Sequence, residues 1–203
     1  MTNAGSPPLQ ALEPSLCLGG DDVVQTSAPA VLALARELRT GARDDVEFAR
    51  AAFAWVRDEV AHSYDVDDQR VTLTATEVLE HRVGLCYAKS HLLAALLRSQ
   101  SVPTALCYQL LHDAETGGHV LHGLVAMHLE GAWHRQDPRG NKPGVDAQFS
   151  LDDERLAWPV DPEIGELDLP QLFASPAPSV VRALRAADDS RTLYAQGLPS
   201  TVE

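Results

Sequence analysis

The feature that most constrains this chain is a change of hydrophobic period partway along it. From Pro29 to about Gln100 apolar residues recur at helical spacing, and from Thr104 to Gln136 they fall in short runs suited to strands. Val31, Leu34, Ala35 and Leu38 share one face of a predicted helix over Pro29–Thr40, with Ser27 as N-cap, Pro29 in the first turn and Gly41 to end it. Val46, Ala49, Phe53, Val56 and Val60 form the stripe of a second helix from about Asp45 to His62, capped by Asp44 or Asp45. Ser63 to Thr74 is polar and reads as a loop. Thr74 and Glu77 match a capping box ahead of a short helix that breaks near Gly84. A strongly apolar helix then opens at Cys86 and runs to Gln100.

Three antiparallel strands follow, over Thr104–His112, Val120–Leu129 and Ala132–Gln136. Asp113 to Gly118 makes the first turn and Glu130-Gly131 a two-residue second one. Helices first and a meander sheet after them predict an α+β fold, with the N-terminal helices packed on an antiparallel β-sheet. Residues 1–25, rich in Pro and Gly, read as a loose arm in which Leu16 and Leu18 pair onto a sheet edge. Residues 26–175 form the main domain, and 176–203 a C-terminal helix and tail. Beyond Gly140 the chain is rich in proline and takes the form of a long loop: a wrap, a lid or a subunit contact.

Charge narrows the partners. A formal net charge of −13 over 203 residues repels phosphate backbones and anionic membrane surfaces. Nucleic acid and membrane are therefore not expected as partners. Three widely spaced cysteines, Cys17, Cys86 and Cys107, make neither a disulfide framework nor a zinc knuckle. The N-terminus lacks the basic and apolar regions of a signal peptide, so a reducing cytoplasm is the expected location.

Cys86 follows Gly84 and opens a helix. Unpaired N–H groups and a partial positive charge at a helix N-terminus favour a thiolate. A buried structural cysteine is the plainer alternative. In the hairpin, a two-residue loop sets Leu129 opposite Ala132 and Asp137 opposite Leu124. His122 and Asp137 then share a face as diagonal neighbours. Cys, His and an orienting carboxylate are the parts of a thiol-nucleophile mechanism.

The segments GLCYAKSHLLAALLRSQSVPTALCY, HGLVAMHLEGAW and HRQDPRGN resemble the motifs of the transglutaminase-like superfamily, a branch of the papain-like thiol enzymes. They stand in the family's order with compatible spacings, from about Phe53 to Asp137. The resemblance implies a nucleophile, Cys86, at a helix N-terminus, His122 as base and acid, and Asp137 as orienter. It implies no cofactor and no metal. Departures lie in the flanks: the family's H-A-W reads His122-Gly123-Leu124, its D-P-T reads Asp137-Pro138-Arg139, and its aromatic position falls on His62 or Tyr64.

Further candidates for oxyanion or substrate contacts are His62, Tyr64, Tyr87, Trp133, Arg139 and Asn141. Trp133 either packs or walls a cleft. Arg139 and Asn141 either close a turn or recognise a substrate carboxylate. His119-x-x-His122 is a weak metal spacing. The expected function is acyl transfer from a carboxamide or peptide bond through a thioester, either hydrolysis or amide exchange. The partner would be a protein or peptide substrate, or a small amide. An inactive interaction module on the same fold is the alternative, and a metal-dependent hydrolase the third.

Overall fold

A computed structural model describes residues 7–203. Helices α1 (Pro29–Thr40), α2 (Asp45–Glu59) and α3 (Ala75–His81) gather around α4 (Cys86–Arg98). Every residue of α4 is buried, which is why its sequence is apolar nearly all round. Phe48, Phe53, Val56, Leu92, Leu93, Leu96 and Leu97 join Leu106, Val125 and Met127 of the sheet in one core. Each such side chain stabilises the fold by about 1.5–3 kcal/mol. α4 is thus the strut against which the rest is assembled.

The sheet contains β3 (Thr104–His112), β4 (His119–Leu129), β5 (Ala132–Gln136) and β6 (Leu167–Asp168), in the antiparallel order β5-β4-β3-β6. Leu129 faces Ala132 and Val125 faces Gln136, the register expected of a two-residue loop. Glu130 and Gly131 both hold positive φ, 51° and 82°, as the tight hairpin turn requires. The short strands β1 (Ala61–His62) and β2 (Val83–Gly84) pair in parallel beside the start of α4. Two helices close the chain, α5 (Pro178–Ala186) and α6 (Ser190–Gln196). The molecule is α+β, with helices on an antiparallel sheet.

Three local expectations change. The second helix ends at Glu59, not near His62, because Val60 turns extended into the core. The Lys89 ammonium donates to the Arg57 and Val60 carbonyls and so satisfies the end of α2. Ala28, not Ser27, occupies the N-cap of α1. Leu16 and Leu18 pair with no strand; a 3₁₀ turn over Pro14–Cys17 leaves both exposed and buries Cys17 against Ala105, Cys107, Leu124 and Ala126. Arg98 holds residues 7–25 down by donating to Gly19, while its other N–H groups reach the Thr104 and Ala174 carbonyls. Residues 1–6 of the arm lie outside the described residues.

The segment beyond α5 is more ordered than a tail. Asp189 caps α6, Ser190 binds the Asp68 and Gln69 carbonyls, and Arg191 pairs with Asp67. α6 is thereby docked on the 63–74 loop.

Candidate active site

The site forms where the start of α4 meets β4. β2 delivers the chain to Leu85, the N-cap, and Cys86 is the first residue of the helix. Gly84 has a packing reason: a Cβ there would stand 2.9 Å from Thr72 Oγ1 and 3.2 Å from the Ala88 methyl. Gly123 has a stronger one. A Cβ on it would fall 2.8 Å from Tyr87 Cδ1 and 3.0 Å from Tyr87 Cα. Only glycine lets β4 come this close to the first turn of α4.

Hydrogen bonds fix that approach. The Tyr87 hydroxyl donates to the Leu121 carbonyl, and Ser90 Oγ donates to the Gly123 carbonyl at 3.2 Å. The Gly123 N–H donates to Cys86 Sγ at 3.4 Å. His122 Nε2 lies 2.8 Å from Asp137 Oδ2. Asp137 does not engage the other ring nitrogen, Nδ1, and Cys86 stands near enough to favour the charged ring. Asp137 is wholly buried and also accepts from the Arg139 and Ala157 N–H groups, each at 3.0 Å. Burial works against its charge, but His122 and the two N–H groups prevail and hold its carboxyl below the usual carboxylate range. Burial likewise works against an imidazolium, yet Asp137 and Cys86 outweigh it and push His122 up to about 10. Trp158 covers the ring edge-on, with centroids 5.0 Å apart.

A cavity of about 300 Å³ opens in front of Cys86 and His122, lined by His62, Tyr64, Tyr87, Trp158, Tyr194 and Leu198. His62 is buried, and its Nδ1 has no hydrogen-bond partner among the described residues. Burial and the Arg139 guanidinium hold it neutral, well below the usual imidazole value. Tyr64 is exposed, stacks on Tyr194 with centroids 4.3 Å apart, and donates to Glu115.

The structure thus brings Cys86, His122, Asp137, His62, Tyr64 and Tyr87 to one place. Three other candidates lie elsewhere or are engaged. Trp133 sits four residues before Asp137, about 13 Å along an extended strand, and does not wall the cleft. Its indole donates to the Leu12 carbonyl, and it packs with Leu9, Leu12 and Leu124. Arg139 is not free for a substrate carboxylate. Its fork grips Asp65 at 2.5 and 2.9 Å, and its guanidinium lies over Trp158. Asn141 exchanges two hydrogen bonds with the Ala147 backbone and closes a loop. Of the hairpin histidines, His119 binds the Ile164 carbonyl, His128 packs on Trp133, and His134 binds the Leu129 carbonyl. Among the described residues no three His, Cys, Asp or Glu side chains gather as a metal site.

Lys89, Trp158, Tyr194 and Leu198 escape the sequence reading. Lys89 carries a signal: it is a cation on the otherwise apolar helix that begins at Cys86. The other three lie in segments without periodicity, and nothing local ties them to the site.

The transglutaminase-like superfamily model matches residues 32–138, a little over half of the chain. No curated protein matches. Among solved structures, a candidate cysteine protease from Cytophaga hutchinsonii aligns with a TM-score of 0.52 at 18% identity, over 63% of this chain and 43% of that one. The periplasmic domain of TgpA from Pseudomonas aeruginosa aligns with a TM-score of 0.48 at 19% identity, over 63% of this chain and 48% of that one. This chain spans under half the length of either structure, and at 18% identity the likeness to the Cytophaga protein is one of fold. Among the described residues no helix is long and apolar enough to cross a membrane. The family match runs from within α1 to just past Asp137, and the chain belongs to the transglutaminase-like superfamily.

Proposed function

We propose that the protein is a thiol acyltransferase or hydrolase acting on carboxamide or peptide bonds, with Cys86, His122 and Asp137 as a catalytic triad. The observation that carries this reading is that Asp137 Oδ2 holds His122 Nε2 at 2.8 Å, and that His122 lines one cavity with Cys86, whose Sγ accepts from the Gly123 N–H next to it. Asp137 fixes the ring and favours the imidazolium. The imidazolium and the first turn of α4 favour negative charge on the sulfur.

In the reaction, the Cys86 thiolate attacks the substrate carbonyl carbon. The developing oxyanion is met by the Cys86 N–H, which opens α4 and has no carbonyl one turn behind it. The neutral His62 ring supplies a second donor from the cavity wall. The tetrahedral species collapses as His122 Nδ1 gives its proton to the leaving nitrogen; the C–N bond breaks and a thioester remains. Water or an amine then adds, His122 takes the proton of the incoming nucleophile, and the thiolate departs. The substrate is a peptide, a protein or a small amide, and hydrolysis is the favoured outcome. Three free cysteines suit a reducing cytoplasm as the site of action.

The test is acid-quenched mass spectrometry of Cys86 after exposure to glutamine- and asparagine-containing peptides, alongside release of ammonia or cleaved peptide. An acyl adduct on Cys86 that is absent in Cys86→Ala is expected. A folded wild type that yields neither adduct nor product would leave the interaction module as the better reading.

A further inference from the structure

The outward backbone groups of β4 beside the nucleophile admit a complete accounting. Leu121 and Gly123 turn their N–H and C=O groups away from β3. The first five residues of α4 take three of the four: the Leu121 carbonyl by Tyr87, the Gly123 carbonyl by Ser90, and the Gly123 N–H by Cys86 Sγ. The fourth, the Leu121 N–H, is left by the helix. It donates to the Pro199 carbonyl at 2.7 Å. Leu198, one residue earlier, lines the cavity in front of Cys86. The segment is pinned again two residues on, where Ser179 Oγ donates to the Thr201 carbonyl at 2.5 Å.

An apolar side chain in the cavity and a main-chain carbonyl on a strand N–H are the two contacts by which a strand edge holds an extended peptide. Residues 121 and 123 are about 7 Å apart along the strand. Pro199 therefore sits within about two residues of extended chain from the sulfur. It lies too far off to be attacked and close enough to exclude another peptide.

We infer that the Leu121 N–H and the adjoining cavity form a subsite for an extended peptide bearing an apolar residue, and that the chain's own Leu198–Pro199 segment fills it. This inference rests on the acyl-transfer reading for its significance, and names its substrate class as peptide rather than small amide. Substrate binding requires the segment to leave, so the segment competes with substrate and raises KM.

The experiment compares wild type with a variant in which Leu198–Ser200 is replaced by Gly-Ser-Gly, and with Leu198→Asp as a milder change. The probe is the capped peptide acetyl-GLPSTVE-amide, the sequence of residues 197–203. The readout is the iodoacetamide labelling rate of Cys86, which needs no turnover. Labelling should accelerate roughly three- to tenfold in both variants, the scale of one net hydrogen bond's worth of contact. Added peptide should restore the slow rate in the variants and leave wild type unchanged. Unchanged labelling in both folded variants, with no protection by the peptide, would overturn the subsite. If the replacement variant does not fold, Leu198→Asp and the protection assay decide. Peptide protection without any acyl adduct on Cys86 would leave the subsite standing and remove the acyl-transfer reading. Adduct formation with equal KM in all three proteins would do the reverse.

Discussion

One wall of the cleft consists of α4 and the β4–β5 hairpin; the other consists of residues 157–158, the Tyr64 loop and α6 with Leu198. In the first wall the local setting of each functional atom follows a short-range rule, and one close approach, Gly123 on Tyr87, joins the two elements. The helix start places Cys86, strand alternation and a two-residue turn pair His122 with Asp137, and two glycines allow the close approach of α4 and β4 that joins them. In the second, each residue is placed by a contact distant in sequence. Trp158 sits under Arg139, which is fixed by Asp65; Tyr194 is brought in by α6 clasping Asp67, Asp68 and Gln69. In the proposed reaction the first wall carries the chemistry and the second bounds what can reach it.

Substitutions test that division, and the largest effects belong to the first wall. Cys86→Ala should reduce turnover to background, with a melting temperature within a few degrees of wild type, because the side chain is small and adds little to the core. Residual activity above a few per cent would show that another group performs the attack. Asp137→Asn should lower kcat by about 10³–10⁴, since the amide no longer favours the imidazolium. Steady-state kinetics on the folded variant reads this directly.

Gly123→Ala is the sharper geometric test. A methyl group 2.8 Å from the Tyr87 ring and 3.0 Å from its Cα must push β4 off α4. A shift of that kind should cost about 1–3 kcal/mol of stability and about a hundredfold in rate. Equal activity would mean the close approach is not needed. In the second wall, Tyr194→Ala should act chiefly on KM, by a few-fold, and leave the triad's chemistry in place. Trp133→Ala should be silent in kinetics but lower stability by about 2 kcal/mol, as a packing loss outside the cleft. A kinetic defect without a stability loss at Trp133 would restore it to the site.

The charge on His122 also has a thermodynamic signature. Its pKa in the fold is raised to about 10 by Asp137 and Cys86 against the opposing effect of burial. The stability it contributes is therefore fully present below the ordinary imidazole value of about 6.5 and is lost as pH rises through about 10. The melting temperature of wild type should fall more steeply between pH 7 and 10 than that of His122→Gln. Parallel curves would mean the imidazole is not held charged.

The division also explains what was legible in the chain. The capping box at Thr74 and Glu77, the Glu130-Gly131 turn and the hairpin register are local patterns, and each appears where the sequence places it. The pairing of His122 with Asp137 follows from them because strand alternation extends a known register by a few residues, whereas the packing of the hairpin on the start of α4 rests on the distant Gly123–Tyr87 approach. The end of α2 was less legible, since it depends on Lys89 reaching back to the Arg57 and Val60 carbonyls. Arg139 and Asn141 read as plausible substrate contacts because their partners, Asp65 and Ala147, are set by the loop fold and not by spacing. Tyr194 and Leu198 were illegible for the same reason. A helix of seven residues and the turn after it carry too little pattern to say where they dock.

The most direct test of the central claim is the pH dependence of iodoacetamide labelling, located by mass spectrometry, on wild type and His122→Ala. Cys86 should label preferentially near pH 6 in wild type, and that labelling should vanish in the variant while Cys17 and Cys107 stay unreactive in both. Labelling of Cys86 that is unchanged by loss of His122, or that appears only on unfolding, would contradict an assembled Cys–His pair.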